Sequence, residues 1–242
     1  MSHHVVVRDD QEAALVVANG LACSPELLGQ LLEWSPLVVA LDGAFDRLTA
    51  LGIKVDVVLG DMDSVGRGQW GAALQKGDSH AEEAVRHHVE AAQDGVRWVY
   101  TPDQEYTDLQ KALQWLWDNG HRSAQVIWAN GPGPDHFFGN LHALATAPEG
   151  MAVGMLQEDT RTFRAPKLFS KCYHHGDRLS LIPFPEALSV TTQNLEFALD
   201  AEDLKAGQRI GISNRVLQSG LVRINHAGGC LLLSEPLYLN AS

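Results

Sequence analysis

Basic residues are scarce in this sequence. Its 242 positions hold 18 Lys and Arg against 30 Asp and Glu, a formal net charge of −12. Nucleic acids and anionic membranes need clustered cations, so the balance argues against both as partners. It does not argue against a nucleotide, because a divalent cation held by carboxylates screens phosphates. Cysteine is scarce too: Cys23, Cys172 and Cys230 lie far apart and form no CxxC pair. They read as reduced thiols of a cytoplasmic protein. No apolar run approaches the ~20 residues of a membrane span. The opening "MSHHVVVRDD" is too short and too soon acidic for a signal peptide, and His3 and His4 read as a surface pair rather than a chelator. A Walker loop (GxxxxGK followed by Ser or Thr), a GxSxG elbow and an HExxH helix are all missing.

What is present is apolar and periodic. Hydrophobic residues make up 45% of the chain, enough for one large domain or two small ones. "AALVVANG" (13–20), "LVVAL" (37–41), "VDVVLG" (55–60), "VRWVYT" (96–101) and "AQVIWAN" (124–130) read as strands. Between them, "SPELLGQLLEW" (24–34) opens with Ser at an N-cap and Pro at the first helical position. "DGAFDRLTALG" (42–52) reads as a short helix closed by Gly52. "YTDLQKALQWLWDNG" (106–120) places Leu109, Ala112, Leu113 and Leu116 on one helix face and ends at Gly120. The alternation predicts an α/β domain with a parallel, doubly wound sheet over residues 1–150. After about Met151 the pattern turns to period two, in "MAVGMLQ", "TRTFRA", "DRLSLIPF", "ALSVTT", "QRIGISN", "GLVRINH" and "CLLLSEPLYL". That predicts an all-β sandwich domain over residues 160–242, with the boundary near 148–166. "VGRGQWGAALQKGDSH" (65–80) reads as a long surface loop.

Acidic and polar clusters follow four of the strands: Asp42, the pair Asp61 and Asp63, "TPDQEYTD" (101–108) and "NGPGPDHFFGN" (130–140). Ligands of an open α/β sheet bind beyond the carboxyl ends of its strands. In extended backbone Asp61 and Asp63 point the same way, roughly 6–7 Å apart at Cα. Such carboxylates repel one another unless a cation lies between them, and no Lys or Arg follows until Arg67. Oxygen-only ligands point to Mg²⁺. The plain alternative is a polar turn with two solvated acids. Thr107 and Asp108 fit either an N-cap with its first-turn carboxylate or a site wall. Asp135 and His136 begin a helix after a Gly/Pro loop; they suit a phosphate site or ordinary capping.

In their order, "LDGAFDRL", "VVLGDMDSV", "TPDQEYTDLQKAL", "GPGPDHFFGNL", "GDRLSLIPF", "VTTQNLEFAL" and "GISN" resemble the thiamine pyrophosphokinase family from about Ala13 to Leu233. The resemblance implies a nucleotide-binding catalytic domain, a thiamine-binding β-sandwich and a homodimer. It implies Mg²⁺-dependent transfer of pyrophosphate from ATP to the thiamine hydroxyl, with AMP released. Residue by residue, it puts Asp42, Asp61, Asp63 and Asp108 around Mg²⁺ and the ATP phosphates. Asp108 is the expected acceptor of the hydroxyl proton. Gln104, Thr107, Asp135, His136 and Asn140 are expected to line the nucleotide site, and Ser213 and Asn214 to lie near thiamine. The chain departs from the family pattern at Gly133, which stands where the Arg of a Gly-Arg pair is usual, with Pro134 intruding after it, and at Glu105, where Asp is usual. "DGA" replaces "DGG", and Phe197 stands in place of a thiamine-stacking Trp. Pattern alone also allows Phe197 to be core, alternating with Leu195 and Leu199. Rival readings are a Mg²⁺-dependent phosphohydrolase, a nucleotide-sugar transferase, and a non-catalytic protein that binds nucleotide or thiamine.

Overall fold

The computed structural model describes residues 12–61, 79–80, 83–84, 87, 95–131 and 133–238. It divides into two compact units, Met1–Met151 and Ala152–Ser242. In the first unit, strands β1 (Ala14–Val17), β2 (Val38–Leu41), β3 (Val57–Gly60), β4 (Arg97–Tyr100) and β5 (Ser123–Ile127) pair in the order β4-β3-β2-β1-β5. Every pairing among them is parallel. β1, β2 and β3 are buried at every position, which is why they read as unbroken Val, Leu and Ala runs.

Helix α1 (Pro25–Trp34) starts at Ser24, whose side chain accepts from the Leu27 amide at 3.2 Å. α2 (Asp42–Ala50) follows β2 directly, and Gly52, with φ of 71°, takes the left-handed turn after it. α3 (Asp108–Asp118) buries Leu109, Ala112, Leu113 and Leu116, the face that the 3.6-residue period marked. α4 (Pro134–Ala145) completes the unit. The segment expected to be a surface loop, 65–80, lies almost wholly outside the described residues.

The second unit is antiparallel. Its strands are β6 (Ala152–Leu156), β7 (Thr160–Arg164), β8 (Leu168–Tyr173), β9 (Arg178–Gln193), β10 (Glu202–Lys205), β11 (Gly211–Arg215), β12 (Gly220–Asn225) and β13 (Gly228–Pro236). They run β6-β7-β13-β9-β12-β8, with β10 and β11 also on β9. Two expected strands, "DRLSLIPF" and "ALSVTT", are one 16-residue strand, β9, which continues through Pro183 and Pro185. The ladder to β13 slips between Gly229 and Leu231, opposite this stretch. Gly229 is required there: φ is 73°, and a Cβ would lie 2.1 Å from the Glu186 carbonyl oxygen. β8 and β10 were not expected. β8 alternates exposed and half-buried residues, including Lys171, and β10 is only four residues long.

A charged network lies inside this unit. Glu235 on β13 is 1% exposed. Its carboxylate accepts from Lys171 Nζ at 2.9 Å and the Tyr173 hydroxyl at 2.5 Å, with an Arg161 guanidinium nitrogen 3.8 Å away. Burial, reinforced by the Glu235 charge, pushes the Tyr173 phenol far above its ordinary range.

Candidate active site

β2 and β3 deliver two carboxylates to the carboxyl edge of the parallel sheet. Leu41 pairs with Leu59, so Asp42 and Gly60 stand side by side one residue further on. Asp42 opens α2, is 5% exposed, and accepts from the Gly43 amide at 2.5 Å. The helix dipole favours a carboxylate there. Gly60 has no room for a side chain: a Cβ would lie 2.9 Å from both Cβ and Cγ of Asp42. The glycine therefore makes the seat for the carboxylate. Asp61 follows immediately, and its Oδ2 accepts from Gln104 Nε2 at 2.8 Å.

The next wall is the segment from Thr101 to Asp108. The Thr101 amide donates to the Gly60 carbonyl at 2.9 Å, extending the β3–β4 pairing. At the far end Thr107 caps α3. Its hydroxyl accepts from the Gln110 amide at 3.3 Å, while its own amide donates to Gln110 Oε1 at 3.1 Å. This engages both polar groups of Thr107 in a capping box. Asp108, in the first turn of α3, has a basic partner on the same helix. Lys111 Nζ lies 2.9 Å from its Oδ1 and donates to the Thr101 carbonyl at 3.0 Å. The i, i+3 spacing of Asp108 and Lys111 in the sequence is that of a standard helical ion pair.

Beyond β5, Asp135 and His136 are exposed at the start of α4, with His136 Nε2 3.9 Å from Asp135 Oδ2. Asn140 Nδ2 donates to the Ala129 carbonyl at 2.6 Å, anchoring α4 to the end of β5. A second unsought residue is Arg47. Its guanidinium stacks 4.3 Å from the centre of the buried Trp128 ring and donates to the Gly20 carbonyl at 2.7 Å, tying the segments after β1 and β5 together. Nothing in the sequence spacing marks this contact; it needs the fold.

Among the described residues no three His, Cys, Asp or Glu side chains lie close enough to hold a metal ion. Asp63, the fourth expected ligand, lies outside the described residues. Asp42 and Asp61 offer carboxylate oxygens only, a donor chemistry that suits Mg²⁺ and not a soft metal.

The second unit carries its own candidate positions. Leu195 and Leu199 are buried, but Phe197 between them is 63% exposed. The core alternative for Phe197 is overturned: the segment is an arch, not a regular strand with one apolar face. Leu195 bridges to Val216, and Leu199 donates its amide to Thr192 Oγ1 at 2.9 Å. Asn214 is 3% exposed and holds the arch from below. Its Oδ1 accepts from the Phe197 amide at 3.0 Å, and its Nδ2 donates to the Phe197 carbonyl at 2.8 Å. Ser213 is exposed at φ of 56°, inside the register slip between Gly211 and Asn214, which makes it the outward residue of a β-bulge.

Comparison with known proteins identifies the family. The chain matches the family description "Thiamin pyrophosphokinase, catalytic domain" over residues 28–153 and "Thiamin pyrophosphokinase, vitamin B1 binding domain" over residues 168–231. It is 24% identical over 199 residues to a thiamine pyrophosphokinase of Bacillus subtilis, covering 81% of this chain and 85% of the relative. Among solved structures it resembles a Bacillus subtilis thiamine pyrophosphokinase at a TM-score of 0.70 and 21% identity, covering 94% of this chain and 100% of that one. It also resembles the yeast thiamin pyrophosphokinase at a TM-score of 0.72 and 13% identity, covering 96% and 89%. These structural likenesses carry the fold. The first family match alone spans more than half of the sequence, and with it the chain belongs to the thiamin pyrophosphokinase family.

Proposed function

We propose that the chain transfers a pyrophosphoryl group from ATP to the hydroxyl of thiamine, giving thiamine diphosphate and AMP. The observation that carries this reading is the tandem of a catalytic-domain match and a vitamin B1-binding match, one on each compact unit. In this reading residues 1–150 bind nucleotide and residues 160–242 bind thiamine. The hydroxyl oxygen forms a bond to the β-phosphorus. The bond from that phosphorus to the oxygen bridging it to the α-phosphorus breaks, AMP leaves with that oxygen, and the hydroxyl proton is lost. Such transfers depend on positioning and charge stabilisation more than on covalent help from the protein.

Mg²⁺, when bound, neutralises charge on the phosphate oxygens. Asp42 and Asp61, with Asp63, would hold it, and Asp108 completes or orients that shell. Gln104 fixes the Asp61 carboxylate. The α4 start at Asp135 and His136 offers amide groups to a phosphate. Phe197 offers its exposed face to the flat rings of thiamine, one of which is cationic. Asn214 acts through Phe197, because its amide is engaged with the Phe197 backbone, while Ser213 faces outward beside it. The protein works as a cytoplasmic homodimer in this proposal.

Incubation with ATP, Mg²⁺ and thiamine tests the reading. Stoichiometric AMP and thiamine diphosphate are expected. Release of inorganic phosphate or pyrophosphate without thiamine diphosphate would replace it with a phosphohydrolase.

A further inference from the structure

We infer that Arg47 is a positioning residue for the transfer, fixing the loop after β5 against α2, the helix that Asp42 opens. The inference rests on the pyrophosphoryl-transfer reading. Trp128 directly follows β5 and carries two costs at one position. Its backbone is left-handed, with φ of 55°, a conformation that a bulky residue holds only when its surroundings impose it. It is 3% exposed, and its indole N–H meets no acceptor among the described residues, which adds the cost of a buried unmatched donor. Arg47 holds it in place: the guanidinium carbon lies 4.3 Å from the ring centre, and one nitrogen donates to the Gly20 carbonyl at 2.7 Å. The Gly20 amide in turn donates to the Trp128 carbonyl at 2.7 Å, and the Leu21 amide to the Asn130 carbonyl at 2.7 Å. Further on, the Ala129 carbonyl accepts from Asn140 of α4 at 2.6 Å. Gly131 packs so closely on the first turn of α4 that a Cβ there would lie 2.2 Å from that of His136. The position of Trp128 is thereby passed along the loop to the start of α4.

Arginine suits this task better than lysine. A planar guanidinium can lie on an indole face and still donate in its own plane, so one side chain makes both contacts at once. Arg47 stands five residues after Asp42 on the same nine-residue helix. That helix is therefore held at its start by the packing of Asp42 on Gly60, and further along by Arg47 on Trp128. In the transfer reading its first residue faces the cation, while the loop after β5 leads to the amides that meet a phosphate. Arg47 sets the spacing between those two walls, and a misplacement of about 1 Å in such a frame is enough to cost on the order of 10²-fold in rate.

Arg47→Met keeps a stem over the indole and removes the planar charge. Nucleotide binding is read by titration with Mg²⁺ and an ATP analogue whose α- and β-phosphorus are joined by a methylene group, so that it cannot be split there. Each variant is measured well below its melting temperature. Arg47→Met should bind the analogue about tenfold more weakly and lower kcat on the order of 10²-fold, while the thiamine KM stays within about threefold. Arg47→Lys restores the charge without the plane and should fall between Arg47→Met and the parent in both respects. Trp128→Phe keeps a ring beneath Arg47 and removes the unmatched N–H; it should weaken analogue binding by no more than about threefold. A folded Arg47→Met protein with the analogue affinity and kcat of the parent would overturn the inference. So would a thiamine KM that rises as far as the ATP KM, or an Arg47→Met protein that does not fold, since either would make Arg47 a general support of the unit. A Trp128→Phe protein that loses as much affinity as Arg47→Met would also overturn it, by making the indole N–H itself the ligand contact. If the parent makes no thiamine diphosphate while Arg47→Met still binds the analogue more weakly than the parent, the transfer reading fails and the Arg47–Trp128 tie stands.

Discussion

The two units use charge in opposite ways. In the α/β unit the carboxylates sit at strand ends: Asp42 and Asp61 follow β2 and β3, and the strands behind them are apolar throughout. In the β unit the main carboxylate is turned inward, with Glu235 buried among Lys171, Tyr173 and Arg161. A charge at a strand end is met by hydrogen-bond donors, Gly43 for Asp42 and Gln104 for Asp61, while a charge buried inside a sandwich must be matched by opposite charge from its own chain. The first arrangement places charge on the rim of an apolar core. The second makes the core itself depend on ionic partners.

Four perturbations sharpen or break this contrast. The largest effect is expected at the rim. Asp61→Asn should lower kcat on the order of 10³-fold, about 4 kcal/mol of transition-state stabilisation, and leave the melting temperature unchanged. A parallel loss of stability would put Asp61 in the scaffold. Next, Glu235→Ala leaves Lys171 and Arg161 without their shared partner and should cost about 3 kcal/mol in denaturant unfolding, with the ATP KM of the folded fraction unchanged. Third, Phe197→Ala should raise the thiamine KM about tenfold, as expected for a lost cation–aromatic face. Because Phe197 is exposed, the melting point should hold; a variant that unfolds would return Phe197 to the core.

The smallest effect concerns alkali. The folded Tyr173 phenol is held above its ordinary value of 10.0 by burial first and by Glu235 second. The unfolded chain therefore loses this proton first as pH rises. The associated stability is fully present below pH 10 and falls by about 1 kcal/mol between pH 10 and 11. Tyr173→Phe should flatten that fall, and absorbance at the tyrosinate band should show one phenol fewer appearing upon unfolding. An identical alkaline slope in both proteins would show that Tyr173 titrates normally.

The α/β unit was largely legible because its signals are local. Ser24 before Pro25, the Leu109–Leu116 spacing and the Asp residues after apolar runs each report on a few consecutive residues. The β unit was less so. β9 reads as two strands because Pro183 and Pro185 interrupt it, and only the slip at Gly229 on its partner shows how the ladder passes them. The inward charge of Glu235 could not be read from "LLLSEPLYL", since its partners come from residues 161, 171 and 173. At the candidate site the carboxylates were visible and their neighbours were not. Lys111 was within reach of a helical pairing rule, whereas Arg47 over Trp128 required the sheet order. Phe197 illustrates the limit of period-two reading: Leu195 and Leu199 bury as the pattern demands, but the chain arches outward between them.

The bulge at Ser213 gives one stretch of the outer surface a freedom the core lacks. β11 takes three steps from Gly211 to Asn214 where β9 takes two, from Leu181 to Leu179. Ile212 and Ser213 consequently both face solvent, two neighbours where a regular strand would show one. Gly211 and Asn214 stay opposite the same buried leucines on either side of the extra residue. Excising Ser213 would remove a single outward bead and keep every inward pairing in register. The wall beside Phe197 can thus be lengthened or shortened by one residue as an edit to shape alone, in a strand where a slip at almost any other position would turn the interior outward.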